Sequence, residues 1–480
     1  MDKFPFEIVE RIVHEAAGIP LPPRRPSTNG QEVTRLAGVC RDFQKIIERV
    51  TFQTLRLTSA RIPETIAILA RFPHRIESVK QIQFVVLLPE YDEYASTRIE
   101  TPAEQTINSK AFSMDIGALF DFLPCLEGLC RDSQKMDLRI FARSPTDYVC
   151  SESYARQFYS RKRPTFRHDV SFDLHEKRYD FSSLVLSRDF NQPAPTFSFI
   201  RRLWFVEPTH PLDSARYMDV DTISYITSSF KNIEAVSWKF GDLEDDQQRR
   251  RVKRSNIADT LSLLPASVKS FTLLYKYESH LRVPATTLMP GETEDRLTYA
   301  LRQASQKLEC MVLLGVLGSP QLFWPKYSSA EQSLPSWPHL KNIWILYTEI
   351  TPEGEYILRK YASNDGRNYV HYEPNQTCLN KIYLAIALAV ARMPKLQTIS
   401  LQPLHLRTSV RFRFRFEIKG RIALATWESP PPIFFPSDEL HRYDTFSQSG
   451  GSVNLAQLLK ALSQGKEEGY SYDDGDGDIK

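Results

Sequence analysis

The densest positive charge in this 480-residue chain is Arg249-Arg250-Arg251-Val252-Lys253-Arg254. Such a run suits a nuclear import signal or a phosphate contact. Its plainer reading is one solvated helix face, balanced by Glu244-Asp245-Asp246. A second basic feature, Arg411-Phe412-Arg413-Phe414-Arg415-Phe416, alternates strictly, which makes a strand with a Phe face and an Arg face. The Arg face fits an acidic partner, or an edge strand kept from aggregating by charge. Cys125 and Cys130 stand beside Leu126 and Leu129 and read as core thiols. The ten histidines never fall at metal-ligand spacing with cysteines. There is no Gly-rich phosphate loop, Gly-x-Ser-x-Gly elbow or His-Glu-x-x-His. The acidic end, Asp473-Asp474-Gly475-Asp476-Gly477-Asp478, lacks the glutamate that a calcium loop needs at its twelfth position. No catalytic, metal-binding or cofactor-binding set emerges. The expectation is an interaction protein that needs no cofactor, with an enzyme of unfamiliar site as the rival class.

Composition fits that expectation. Hydrophobic content is 42% and charged content 25%, ordinary for a globular chain. A formal net charge of +3 is too small to argue for nucleic acid. Six scattered cysteines without a Cys-x-x-Cys favour reduced thiols, hence an intracellular protein, cytoplasmic or nuclear. No apolar run follows a basic start, and Ile382 to Ala391 is too short to span a bilayer, so neither a secretory signal nor a membrane span is expected.

Beyond the first 57 residues the chain repeats a helix-then-strand unit. Apolar-x-x-apolar-x-apolar recurs at Val79, Ile200, Ile233, Val268, Leu308, Leu340 and Leu396. Helical patterns precede many copies: Pro63 to Phe72, Asp221 to Phe230, Ile257 to Leu264, Tyr299 to Gln306 and Tyr383 to Met393. Pro124, Pro265, Pro338 and Pro394 stand just before the apolar positions, where Pro ends a helix and starts an extended segment. Irregular units of about 30 to 40 residues resemble divergent leucine-rich repeats. That resemblance implies a parallel sheet on one wall and helices on the other, each unit burying its apolar face by stacking on the next. An ordinary α/β domain is the alternative. Within the irregular interval from Pro89 to Pro195, Leu126-Leu129, Leu138-Ile140 and Phe181-Leu184-Leu186 read as further strands and Ser151 to Asp173 as a charged loop. Alternate side chains of a strand face opposite ways, so Trp204, Leu274, Val312, Leu314, Trp344 and Leu346 fall on the open face. Trp204 and Trp344 are the candidate target-binding anchors, unless an insertion covers that face and turns it into a second core. The Arg-Phe strand opens a hairpin over about 409–428, and Ser452 reads as the cap of a last helix carrying Leu455, Leu458, Leu459 and Leu462.

The first 57 residues differ. Phe4-Pro5-Phe6-Glu7-Ile8 leads into Ile12, and Val39-Cys40-Arg41-Asp42-Phe43 follows after a proline-rich interruption from Gly18 to Gly30. Pro5 suits an opening helical turn, and Ile8 with Ile12 lies on one helix face. A unit this small has a marginal core, so its spare apolar surface has to dock elsewhere. This arrangement resembles an F-box, the helical module that docks cullin-based ubiquitin ligases, in the style of the large F-box families of filamentous fungi. The interruption departs from the family's usual spacing.

The fold expected is therefore α/β: a short N-terminal three-helix F-box-like module, then a leucine-rich-repeat-like α/β solenoid with insertions. The boundaries are 1–57, 58–464 and a disordered acidic tail over 465–480. The resemblance implies a substrate-recognition adaptor of an SCF-type ubiquitin ligase. Phe4, Pro5, Ile8, Ile12, Val39, Cys40 and Phe43 would contact a Skp-type adaptor and, through it, a cullin, while the repeat region holds an unknown target protein. Leu36 and Ile46 are assigned to internal packing. The alternative is a non-ligase scaffold that has an F-box-like cap.

Overall fold

A computed structural model describes residues 41–454 apart from 97, 132, 148–177, 180–181, 188–193, 206–215, 243–245, 278–285, 289–290, 327–333, 363–369, 405–412, 420–421 and 429–451. The chain is mixed α/β with a large, mostly parallel sheet, and it divides into two compact units.

The first unit holds 1–216 and 229–233. It contains α1 (Arg41–Thr51), β1 (Thr54–Leu57), α2 (Ile62–Arg71), α3 (Pro73–Ser78), β2 (Gln81–Leu87), α4 (Glu93–Ser96), α5 (Pro102–Leu129), β3 (Met136–Arg143), β4 (Ser183–Leu184) and β5 (Ile200–Trp204). Strand β1 pairs with β2, β2 with β3 and β3 with β5, all parallel. Thr101 starts α5 with a full capping box: its hydroxyl accepts from the Glu104 N–H while the Glu104 carboxylate accepts from the Thr101 N–H. The helix then runs through Pro124 and Leu126 to Leu129, which corrects the expected strand there. A mid-helix Pro costs about 3 kcal/mol. Phe120, Phe122, Leu123 and Leu126 around it are all buried, and each such side chain returns about 1.5–3 kcal/mol. Cys125, expected in the core, is exposed, and Cys130 is half-buried. Leu138-Ile140 does form a strand, Leu184 forms a two-residue one, and Ser151 to Asp173 lies outside the described residues.

The second unit holds 217–228 and 234–480. It contains β6 (Tyr217–Met218), α6 (Val220–Ser228), β7 (Ala235–Asp242), α7 (Gln247–Ser262), β8 (Ser270–Tyr277), α8 (Arg296–Ser305), β9 (Cys310–Val316), β10 (Asn342–Tyr347), β11 (Leu358–Ala362), β12 (Val370–Pro374), α9 (Gln376–Val390), β13 (Thr398–Pro403), β14 (Arg413–Lys419), β15 (Ile422–Glu428) and β16 (Ser452–Asn454). Strands β7, β8, β9, β10 and β13 lie side by side in chain order, all parallel. Strands β14, β15 and β16 continue antiparallel.

Equivalent residues of the repeated pattern sit opposite one another. Val236, Phe271, Met311, Ile343 and Ile399 form one buried row; Trp238, Leu273, Leu313, Ile345 and Leu401 form the next. In this unit the first apolar residue of each pattern precedes the strand. Val268, Leu308 and Leu396 lie buried in the turn that ends the helix, each N–H bonded to the carbonyl three residues back. Gly315 is the extra residue of a bulge between β9 and β10, with φ +79°. A Cβ there would lie 2.1 Å from the Tyr275 carbonyl oxygen, so only glycine fits.

The hairpin forms as expected between β14 and β15, with Phe414 and Phe416 buried and Arg415 half exposed. Phe414 packs on Tyr383 of α9, ring centroids 5.1 Å apart. Ser452 is a correction: it begins β16 and pairs with Thr426, where sequence reading made it a helix cap. Residues 455–462 and the tail from 465 lie outside the described residues.

Ile343 is 1% exposed in the centre of its row. Ile343→Asp buries an unpaired charge and should cost about 3 kcal/mol or more. Hydrogen exchange should accelerate in β9, β10 and β13 together. A variant with wild-type denaturation and exchange would mean that these strands do not share one core.

Candidate functional site

The ordinary places to look for chemistry prove to be structural. The basic run lies within α7, whose N-cap is Asp246; the Asp246 carboxylate accepts from the Gln248 N–H at 2.8 Å. The helix face formed by Ile257 and Leu261 extends back through Arg250 and Arg254, and all four are buried. Arg254 donates from Nε and Nη2 to the two oxygens of Asp295 at 3.0 and 2.7 Å. Asp295 caps α8, accepting from the Thr298 N–H and hydroxyl at 2.8 Å each. Burial alone pushes the Asp295 carboxyl up, but the Arg254 guanidinium and the Thr298 donors outweigh it and hold it low. The solvated-face reading is therefore corrected. Only part of the run, such as Arg249, faces water, and a helix with two buried arginines does not offer an extended import signal.

The first unit has a similar polar centre. Arg216 makes a fork to Glu100 at 2.8 and 2.6 Å, both side chains fully buried. Asn108 and Ser182 complete it, donating to Glu100 and accepting from Arg216. Nearby, Asp147 accepts from the Tyr91 and Tyr179 hydroxyls at 2.5 and 2.6 Å. Burial, then the Asp147 charge, pushes both phenols up, so they remain donors. Arg98 holds the Glu104 carboxyl well below its usual range.

A cavity of about 660 Å³ lies between α7 and α8, with Ala258, Leu261, Ala300, Ala304 and Leu308 in its lining. Its volume suits a small molecule. The groups with strongly moved pKa values, such as Glu48, Glu104 and Cys378, do not line it. Cys378 sits 3.0 Å from Glu355, and burial pushes its thiol up to about 12, which makes it inert. Among the described residues no three His, Cys, Asp or Glu side chains are grouped to hold a metal.

The sheet faces remain. In the second unit Thr272, Val312, Trp344, Ser400 and Arg415 form one row across five strands on the face away from the buried rows. Trp344 is 49% exposed. At the β7 end of this face Ser237 and Lys239 are buried, with the Lys239 ammonium 5.3 Å over the Tyr217 ring. The face is thus covered at one end and open at Trp344. In the first unit Trp204 is half-buried under the Arg139 guanidinium, 4.6 Å from its ring centroid.

Of the seven residues expected to meet a Skp-type adaptor, only Phe43 is described. Phe4, Pro5, Ile8, Ile12, Val39 and Cys40 lie outside the described residues, as does Leu36. Phe43 is 5% exposed, and Ile46 and Ile47 beside it are also buried. Ile46 thus packs internally, as expected. Glu48 of α1 is the hinge of this region. Arg75 of α3 donates to it from Nε at 2.9 Å and also from Nη2, Gln44 donates at 2.8 Å, and His74 lies at 3.0 Å. The Arg75 bond holds the Glu48 carboxyl down at about 2. No alternation or motif marked the Arg75 and His74 contacts in the sequence, because those partners stand 27 and 26 residues away.

Compared with protein-family models, curated proteins and solved structures, the chain matches none. No helix among the described residues is long and apolar enough to cross a membrane.

Because its folded pKa is depressed, Glu48 stabilises the fold above about pH 4.5 and loses that contribution as pH falls through about 2. Glu48→Gln should cost about 2 kcal/mol at neutral pH. The gap between variant and wild type, read from urea midpoints at descending pH, should shrink below pH 4 and vanish near 2. A gap independent of pH would mean that the Glu48 charge adds nothing.

Proposed function

We propose that this chain is the substrate-recognition adaptor of an SCF-type cullin–RING ubiquitin ligase. The observation that carries the reading is the N-terminal pattern: Phe4-Pro5 with Ile8 and Ile12, then Val39-Cys40-Arg41-Asp42-Phe43. In this reading the pattern forms an F-box-like helical module, and Phe4, Pro5, Ile8, Ile12, Val39, Cys40 and Phe43 dock a Skp-type adaptor. The remainder is a leucine-rich-repeat-like solenoid with insertions. The stacked, in-register parallel strands of the second unit support that architecture. The target protein lies against the open sheet faces, with Trp344 and Trp204 as anchors. Trp is enriched among interface residues whose loss is costly. Catalysis is by proximity: the chain holds its target near the ubiquitin-conjugating enzyme and contributes no reacting side chain.

The alternative is a scaffold that joins no ligase. Phe43 is 5% exposed in the chain alone, a burial that fits either reading, because a residue of an F-box-like module can also hold its helices together.

Full-length protein should co-purify with a Skp-type adaptor and a cullin. Pro5→Ala with Ile8→Asp should abolish this and leave the thermal midpoint of the second unit unchanged. Retention of the adaptor at wild-type strength by the double variant would sink the ligase reading, and absence of the cullin from the wild-type complex would favour the scaffold. Trp344→Ala should weaken target capture by about 1 kcal/mol or more with adaptor binding intact. Undiminished capture would move the target off this face.

A further inference from the structure

Two kinds of arginine site stand out among the described residues. Arg216 and Arg254 are buried and closed in forks on single carboxylates at 2.6–3.0 Å. Arg201 and Arg202 behave differently. They sit at the bulge between β3 and β5, which turns both toward Asp137. Arg201 Nη2 lies 3.6 Å and Arg202 Nε 4.0 Å from the same Asp137 oxygen, longer than fork bonds. Their side chains are 38% and 46% exposed, against 17% for Asp137. Arg139 stands two residues along the same strand face and also acts on Asp137. Among the described residues Arg201 and Arg202 thus share one carboxylate, with Arg139 on the same face, and the pair of arginines outweighs Asp137 at a half-open place.

The surroundings are ordered. Gln81, Asp137 and Arg202 form one row across β2, β3 and β5; Arg56, Gln83, Arg139 and Trp204 form the next, reaching back to β1. Further along the same strands Val85 and Phe141 are buried. The charged rows are therefore the open part of a face whose other part is packed.

We propose that this face of the first unit binds an extended peptide segment rich in Asp and Glu, with Arg201, Arg202 and Arg139 taking its carboxylates. Resting on the adaptor reading above, this names the chemistry of the target segment. Gln83 donates to the Gln81 amide oxygen at 3.1 Å, which leaves the Gln81 amide nitrogen and the Gln83 amide oxygen for the peptide backbone beside the arginines. Peptide fits better than single-stranded nucleic acid, which needs successive stacking aromatics. Trp204 is the one aromatic in these rows, and Arg139 already lies over its ring.

The test uses purified full-length protein without any adaptor. A fluorescein-labelled peptide of alternating Glu and Gly is titrated and followed by anisotropy. Binding should weaken steeply with added salt. Arg202→Glu and Arg139→Glu should each weaken it about tenfold, while Arg131→Glu, an exposed arginine paired with Glu77, should not. Arg202→Gln serves as the milder variant if charge reversal unfolds the unit, and should still lose several-fold. Equal binding by Arg202→Gln and wild type, or no wild-type binding at low salt, overturns the proposal. Tighter binding of a phosphoserine peptide or of single-stranded RNA overturns the assigned ligand. Co-purification with the Skp-type adaptor is scored separately on the wild type and the same variants. A wild type that keeps the adaptor but binds no peptide removes only this inference; a wild type that binds the peptide but no adaptor removes only the ligase reading.

Discussion

The described architecture depends on one hydrogen-bond arrangement repeated at the entry to β2, β8, β9, β10 and β13. Two successive N–H groups converge on a single carbonyl of the preceding unit. Lys80 and Gln81 do so on Gln53, Lys269 and Ser270 on Glu234, Glu309 and Cys310 on Lys269, Lys341 and Asn342 on Glu309, and Gln397 and Thr398 on Lys341. All ten bonds fall between 2.7 and 3.2 Å. The arrangement fixes where each strand begins against its neighbour. A slip of one residue would turn every buried side chain to the open face. With the entry fixed, Phe271, Met311 and Ile343 meet in one buried row.

Apolar packing alone does not hold the helices in place. Arg254 reaches from α7 to the N-cap of α8, so one carboxylate both starts a helix and neutralises its neighbour's buried charge. Arg302 of α8 works the same way on Glu294 and on the Gln321 carbonyl. Removing one partner of such a pair strands a charge in low dielectric, which costs more than the pair contributes. These contacts therefore specify which helix faces pack together, whatever their net stabilisation. The cationic helix face that looked solvated in the sequence is a packing device.

What was legible in the sequence followed from local pattern. The apolar triplets located the starts of β7, β8, β9, β10 and β13 to within two residues, since apolar periodicity is a local property. The Phe-Arg alternation of β14 was equally plain, and Phe414 and Phe416 are buried as it implied. The misses each have a long-range cause. Pro124 was read as a helix stop, but burial of four neighbouring apolar side chains outweighs its local penalty. Arg250 and Arg254 were read as solvated because Asp295, the carboxylate that buries one of them, stands 41 residues on from Arg254. Ser452 has the side chain of a helix cap, yet its backbone pairs with Thr426. The N-terminal pattern stays a matter of sequence apart from Phe43, whose burial pattern analysis had no means to foresee.

The two open faces follow from the same architecture and differ in chemistry. A sheet that carries its helices on one side must expose alternate residues on the other, and neither face here is the uniform polar surface that solvent alone would favour. The row through Trp344 is short and largely uncharged: Thr272, Val312 and Ser400 flank it, and Arg415 at its end is paired with Glu417. Its capacity is for apolar contact, in which the energy comes from removing the indole from water. The rows through Asp137 and Trp204 carry charge in excess, and there the indole supports a guanidinium. A guanidinium stacked on an aromatic ring keeps its in-plane donors turned outward and loses less freedom when it meets an anion. One face is built to be covered and the other to be neutralised, so salt should separate them: binding at Trp344 should withstand it, and binding at Arg202 should not.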